Sequence, residues 1–142
     1  MNGFGKDLIF NNDILNPLEL KIALLTAKVF TNTTFELIGF DACLMSSLEV
    51  ASHLQNVTHY MVSSEEVEPS WGWNYTAIIQ NLTANPEQSG RSLGITTVDS
   101  FVRHSRDFST SEKFGADKQI TLAVIDMTKI PQLIKDVTPI LF

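Results

Sequence analysis

At 142 residues, 44% of them hydrophobic and 18% charged, the chain is long enough to bury one core and lacks the composition of a disordered segment. Its formal net charge of −6 argues against unspecific nucleic-acid binding and leaves room for a cationic partner or substrate. One cysteine excludes an internal disulfide and a Cys-rich zinc site, and no stretch reaches the roughly 18 consecutive apolar residues of a membrane helix.

Residues 1–13 mix glycine, asparagine and aspartate around Leu8-Ile9-Phe10 and read as loop with one short strand at most. They show no basic region followed by an apolar signal core. Asn16-Pro17 is an N-cap followed by proline in the first turn, and Leu18, Ile22, Leu25 and Val29 recur at helical spacing, which predicts a helix over 17–30. Phe35 to Phe40 is apolar apart from Glu36 and Gly39, the pattern of a strand buried on both faces of a parallel sheet. Ser46 and Glu49 fit a capping box for a helix to about Gln55, with Leu48, Ala51 and Leu54 turned inward.

His59 to Ser63 reads as a second strand, followed by an acidic, aromatic loop, Glu65 to Trp73, and a short helix over 75–82. Asn85-Pro86 opens a further helix to about Phe108, weakened at Gly90 and Gly94 by about 1 kcal/mol each relative to alanine. Ser109 to Lys118 is a polar connection, Gln119 to Ile125 a β-branched strand, and Thr128 to Val137 a last helix with Pro131 in its first turn. Strands separated by helices predict an α/β domain with a mostly parallel sheet flanked by helices on both faces, and no internal repeat is visible. Four Asn-x-Thr sequons begin at Asn32, Asn56, Asn74 and Asn81.

In such sheets ligands gather at the carboxyl ends of the strands, where loops are free and helix N-termini point. Cys43 stands at that end, three residues before Ser46, where a helix N-terminus favours a negatively charged sulfur. Asp41 precedes it by two residues, so in an extended conformation both side chains project to one side. By pattern alone, a lone cysteine after an apolar run is most often a small core residue, and a strand-end aspartate most often caps a turn.

Several segments together carry more. "FELIGFDACLMSSLEVA" followed by "YMVSSEEVEPSWGWNY" resembles the clostripain-like cysteine peptidases, whose pattern joins D-x-C-L-M, an E-V-A helix, a strand ending S-x-E, and a G-W-x-Y loop. The match covers about residues 35–82, and the "LNPLEL" helix fits upstream. The resemblance implies a caspase-like sandwich, here a partial domain, with Cys43 as the nucleophile. It makes Asp41 the acid of the primary specificity pocket, paired with an arginine or lysine of a peptide substrate. Ser63, Ser64 and Glu65 end the next strand and line the same pocket, with Trp71 and Trp73 as its wall; ordinary packing of the tryptophans is an equal alternative.

The resemblance also calls for a histidine from a His-Gly pair before the first helix, and this sequence has His53, His59 and His104 instead. His53 lies ten residues past Cys43, about 15 Å along a helix. His59 starts a strand and so sits at the far end of the sheet, and His104 belongs to an outer helix. The expectation is a cysteine-bearing portion whose base comes from a missing N-terminal segment, with Lys6 as a processing site and weak or no activity alone. A natural homologue lacking the base, binding peptides without cleaving them, is the alternative. A phosphoacceptor receiver domain ranks below both, because "ITLAVID" ends in Asp126 where that fold wants a lysine.

The resemblance implies secretion or a cell-envelope location for the full-length protein, with no cofactor. Some relatives depend on calcium, but no run here resembles an EF-hand loop and no ligands can be assigned.

Overall fold

The computed structural model describes residues 5–109 and 120–141. Near its start, two-residue strands β1 (Lys6–Asp7) and β2 (Asp13–Ile14) pair as a small antiparallel hairpin. Helix α1 (Pro17–Thr31) begins where the sequence places it. The Asn16 side chain accepts from the Leu18 and Glu19 amides at 3.0 Å each, and Glu19 accepts from the Asn16 amide at 2.9 Å. This reciprocal box satisfies donors that a helix start leaves orphaned. At the other end Asn32 turns left-handed, at φ 51°.

Strand β3 (Phe35–Gly39) leads to helix α2 (Leu48–Leu54), then strand β4 (Thr58–Ser63), helices α3 (Tyr75–Ala84) and α4 (Gly90–Ser109), and strand β5 (Ala123–Asp126). A 3-10 turn (Met127–Lys129) and helix α5 (Ile130–Leu141) complete the order. Among the described residues the main sheet runs β3-β4-β5. Ile38, Met61 and Ile125 align across it and bury against Leu24 and Leu25 of α1, Val50, Ala51 and Leu54 of α2, and Ile130 and Ile134 of α5. Leu37, Val62 and Val124 point the other way, onto Trp73, Ile78 of α3, and Val98 and Phe101 of α4. Alternation along the strands thus builds two cores, one per face, as an α/β sandwich requires.

The parallel arrangement holds for β3 and β4, whereas β5 runs antiparallel to β4, so the sheet is mixed. The reason lies in the return path. Gly90, at the start of α4, lies against Glu36 near the start of β3, while Trp71, beyond the end of β4, bonds Ser105 near the other end of α4. Helix α3 therefore carries the chain back down the sheet and α4 carries it up again, delivering β5 from the carboxyl end.

Four boundaries also shift. Helix α2 is capped by Ser47, whose Oγ accepts from the Val50 amide at 3.2 Å, and not by Ser46. The Ser46 amide is committed to the Ser64 carbonyl at 2.9 Å, which keeps it in the connection. Val50 consequently joins Ala51 and Leu54 inside, and Leu48 is left open. Helix α4 starts at Gly90 and not at Pro86, with Ser89 accepting from the Ser92 amide at 3.2 Å. Of the strand expected over 119–125, residue 119 lies outside the described residues and 120–125 are regular only from Ala123, and the last helix follows a 3-10 turn closed by Asp126, which accepts from the Thr128 amide and hydroxyl. Residues 110–118 of the expected polar connection lie outside the described residues.

Candidate functional site

The ladder of β3 extends one step past the strand, where the Phe40 amide donates to the Val62 carbonyl at 2.9 Å. Beyond it the chain leaves the sheet, and two further bonds fix the connection. Leu44, left-handed at φ 62°, donates to the Glu66 carbonyl at 3.1 Å, and Ser46 donates to the Ser64 carbonyl. A bulky residue in that region is strained, and the bonds on both sides hold it there. Cys43 and Asp41 are thereby presented at the carboxyl ends of β3 and β4, and both are exposed.

Each of them meets residues 68–75. The Glu68 amide donates to Cys43 Sγ at 3.3 Å, and the thiol faces the Glu68 carbonyl at 3.9 Å. Asp41 Oδ2 accepts from the Trp73 amide at 3.2 Å and from the Tyr75 hydroxyl at 2.9 Å. Gly72, at φ 68°, approaches the same carboxylate so closely that a Cβ there would stand 2.9 Å from Oδ2. Glycine answers both demands, the positive φ and the missing side chain.

The two tryptophans divide their work. Trp73 is buried, its ring lying where a Cβ on Gly39 would be, and its indole N–H donates to Glu68 Oε2 at 2.9 Å. Trp71 is half-buried, donates to Ser105 Oγ at 3.3 Å and stacks on Phe108 with ring centroids 5.8 Å apart, tying the loop to α4. Ser63 and Ser64 are fully buried. The Ser64 hydroxyl accepts from the Glu66 amide, faces the Glu66 carbonyl and bonds Thr121 Oγ1, which also receives the Glu65 amide at 3.0 Å. Ser64 thus holds the turn that carries the loop, Ser63 ends β4 with its hydroxyl buried and unpartnered among the described residues, and the Glu65 side chain is exposed. A groove of about 200 Å³ beside the connection is lined by Ser46, Ser47, Leu48, Glu65, Ala123 and Leu133, among others.

Glu68 and Tyr75 were not singled out as site residues, and both meet Asp41. Burial first, and then the hydrogen bond with the Asp41 carboxyl, push Glu68 up to about 8 against the opposing pull of the Trp73 indole. Burial and then Asp41 push Tyr75 up to about 12, so its hydroxyl stays a donor near neutrality. The Tyr75 position was within sight in the "GWNY" run. Glu68 stands among three glutamates of one loop and carries no local signal.

His59 is the second residue of β4, at the amino end of a strand parallel to β3, facing Glu36 at 3.9 Å. His53 is in the last turn of α2, and His104 packs its ring on Phe108 at 4.6 Å on α4. Among the described residues no three His, Cys, Asp or Glu side chains are grouped to hold a metal ion. No described helix is long and apolar enough to cross a membrane.

The family model of the clostripain family matches residues 2–141. Among solved structures, a B. fragilis cysteine protease superposes with a TM-score of 0.69 at 20% identity, over 92% of this chain and 49% of its own. A secreted C11 cysteine protease from Bacteroides thetaiotaomicron, in complex with an irreversible peptide inhibitor, gives 0.72 at 23%, over 93% and 36%. A clostripain from the same species, in complex with the peptide inhibitor BTN-VLTK-AOMK, gives 0.68 at 23%, over 96% and 53%. The chain thus spans about a third to a half of the length of these proteins. No curated protein matches it.

Proposed function

The chain belongs to the clostripain family of cysteine peptidases, with the caspase-like α/β fold, and from that premise we propose that it carries the nucleophile and the specificity pocket of an endopeptidase cleaving after arginine or lysine. The observation that carries this reading is the pairing at one loop: the exposed Cys43 sulfur meets the Glu68 backbone while the Asp41 carboxylate is held by Trp73 and Tyr75. A carboxylate with fixed donors on Oδ2 keeps lone pairs for a guanidinium or ammonium group, and it repels acidic side chains. The peptide VLTK bound to one relative ends in lysine, in keeping with such a pocket.

In this mechanism the Cys43 sulfur attacks the carbonyl carbon after the basic residue, and the oxygen takes up negative charge. The Cys43 backbone amide is one donor for that oxygen. Collapse breaks the C–N bond, the amine leaves with a proton, and the thioester left on sulfur is hydrolysed by water. The proton passes through a histidine. This reading takes the base from a histidine-bearing segment outside these residues and expects the chain alone to be weak or inactive; it is supported by His59 at the amino end of β4 and His53 in the last turn of α2, while His104 is engaged with Phe108. Secretion, described for one relative, fits an enzyme of this kind.

That placement also favours a second reading, a non-catalytic peptide-binding homologue that keeps the acidic pocket. A chloromethyl ketone bearing arginine separates the two. Labelling at Cys43 that is at least tenfold slower in Asp41→Asn supports the peptidase. Reversible, unlabelled binding supports the binding module, and labelling indifferent to Asp41 removes the pocket assignment.

A further inference from the structure

The attack at sulfur leaves the Glu68 carboxyl without a part, although it reaches into the site from the same residue whose amide meets Cys43. Its Oε2 accepts the Trp73 indole N–H at 2.9 Å, and its Oε1 is shut off from solvent with no hydrogen-bond partner. Asp41 lies beside it, already accepting from the Trp73 amide and the Tyr75 hydroxyl. Two carboxylates in contact cannot both ionise cheaply, and neither brings a donor to the other unless one holds a proton. The other titratable groups at this spot are the Tyr75 hydroxyl from the start of α3 and the Cys43 thiol from the β3–α2 connection.

Resting on the basic-residue pocket argued above, we propose that Asp41 and Glu68 hold one proton between them while the pocket is empty, and that an entering guanidinium or ammonium group displaces it to solvent. Recognition of the basic side chain then exchanges one positive charge for another. The pocket avoids a doubly negative empty state, and its apparent affinity rises with pH until the pair has lost its proton unaided. Burial of Glu68, which pushes its carboxyl up to about 8, sets the upper end of that rise near the same pH.

The test is calorimetric and needs no turnover. Benzamidine is titrated into the 142-residue chain at pH 6.5 in phosphate and in Bis-Tris, whose different ionisation enthalpies report the protons released. The expected result is about one proton released per benzamidine bound, with Kd tightening by up to about tenfold per pH unit between pH 5.5 and 7.5. Glu68→Gln should keep binding through Asp41, release no proton and show a flat Kd over the same range. Benzamidine binding without proton release by the unsubstituted chain overturns this inference and leaves the pocket standing. No binding at any pH overturns the pocket and the inference together.

Discussion

Asp41 leaves room for no more than a hydrogen on residue 72, so that glycine is as much a part of the pocket as the acid. Gly72→Ala would hold alanine at φ 68° and set its Cβ 2.9 Å from Asp41 Oδ2. We expect a loss of about 1–3 kcal/mol in urea unfolding, from the left-handed backbone and the displaced carboxylate, together with slower labelling by an arginyl chloromethyl ketone. Gly5→Ala, with open space around its Cβ, should change neither. Glu68 acts on stability through its proton. Ionising near 4.5 when unfolded and near 8 when folded, it binds more proton in the native state between those values, so its contribution is lost as pH rises through that window. Discounted for partial exposure, the loss amounts to about 1–2 kcal/mol. Glu68→Gln should therefore melt higher than the unsubstituted chain at pH 8.5 and at nearly the same temperature at pH 4; equal melting at both would show that the carboxyl is not destabilised by folding.

At the scale of elements, α4 is seated on the sheet through two glycines of unequal tolerance. A Cβ on Gly90 would meet the Glu36 carbonyl oxygen at 2.4 Å, whereas one on Gly94 would meet methyls of Val124 and Val62 at 3.0–3.2 Å. Backbone cannot give way as a methyl can. Gly90→Ala is expected to cost about 2 kcal/mol or more. In Gly94→Ala the helix-propensity gain of about 1 kcal/mol largely offsets the crowding, a contrast that urea denaturation of the two variants would read directly. These glycines also mark where sequence reasoning stops. The N-cap of α1 and the strands β3 and β4 were legible because they depend on neighbours within a few residues. The start of α4 at Gly90, the antiparallel course of β5 and the shift of the α2 cap to Ser47 depend on distant contacts, with Glu36, with the double helical return and with Ser64 respectively. Cys43 and Asp41 were visible as a motif, but Glu68 emerges only when the loop closes over Asp41.

At the scale of the whole molecule, the two cores are closed to different degrees. Leu24 and Leu25 attach α1 to the sheet, yet the other members of the stripe that the sequence shows at helical spacing stay open: Leu18 and Ile22 are each 55% exposed, Val29 78% and the adjacent Phe30 86%. Among the described residues β3 also has no strand on its outer side, which adds unpaired backbone groups to an apolar surface. A patch of this kind drives association as concentration rises. The formal net charge of −6 opposes it by mutual repulsion, and the two effects can be told apart. Replacing Val29 and Phe30 by lysine moves the net charge toward zero while removing apolar surface. If repulsion governs, the double variant should associate more than the unsubstituted chain; if the patch governs, it should associate less. We expect the second, seen in sedimentation velocity as a sedimentation coefficient that rises with concentration for the unsubstituted chain and stays level for Val29→Lys/Phe30→Lys, with labelling at Cys43 unchanged because the substitutions lie on α1, outside the connection that holds the sulfur.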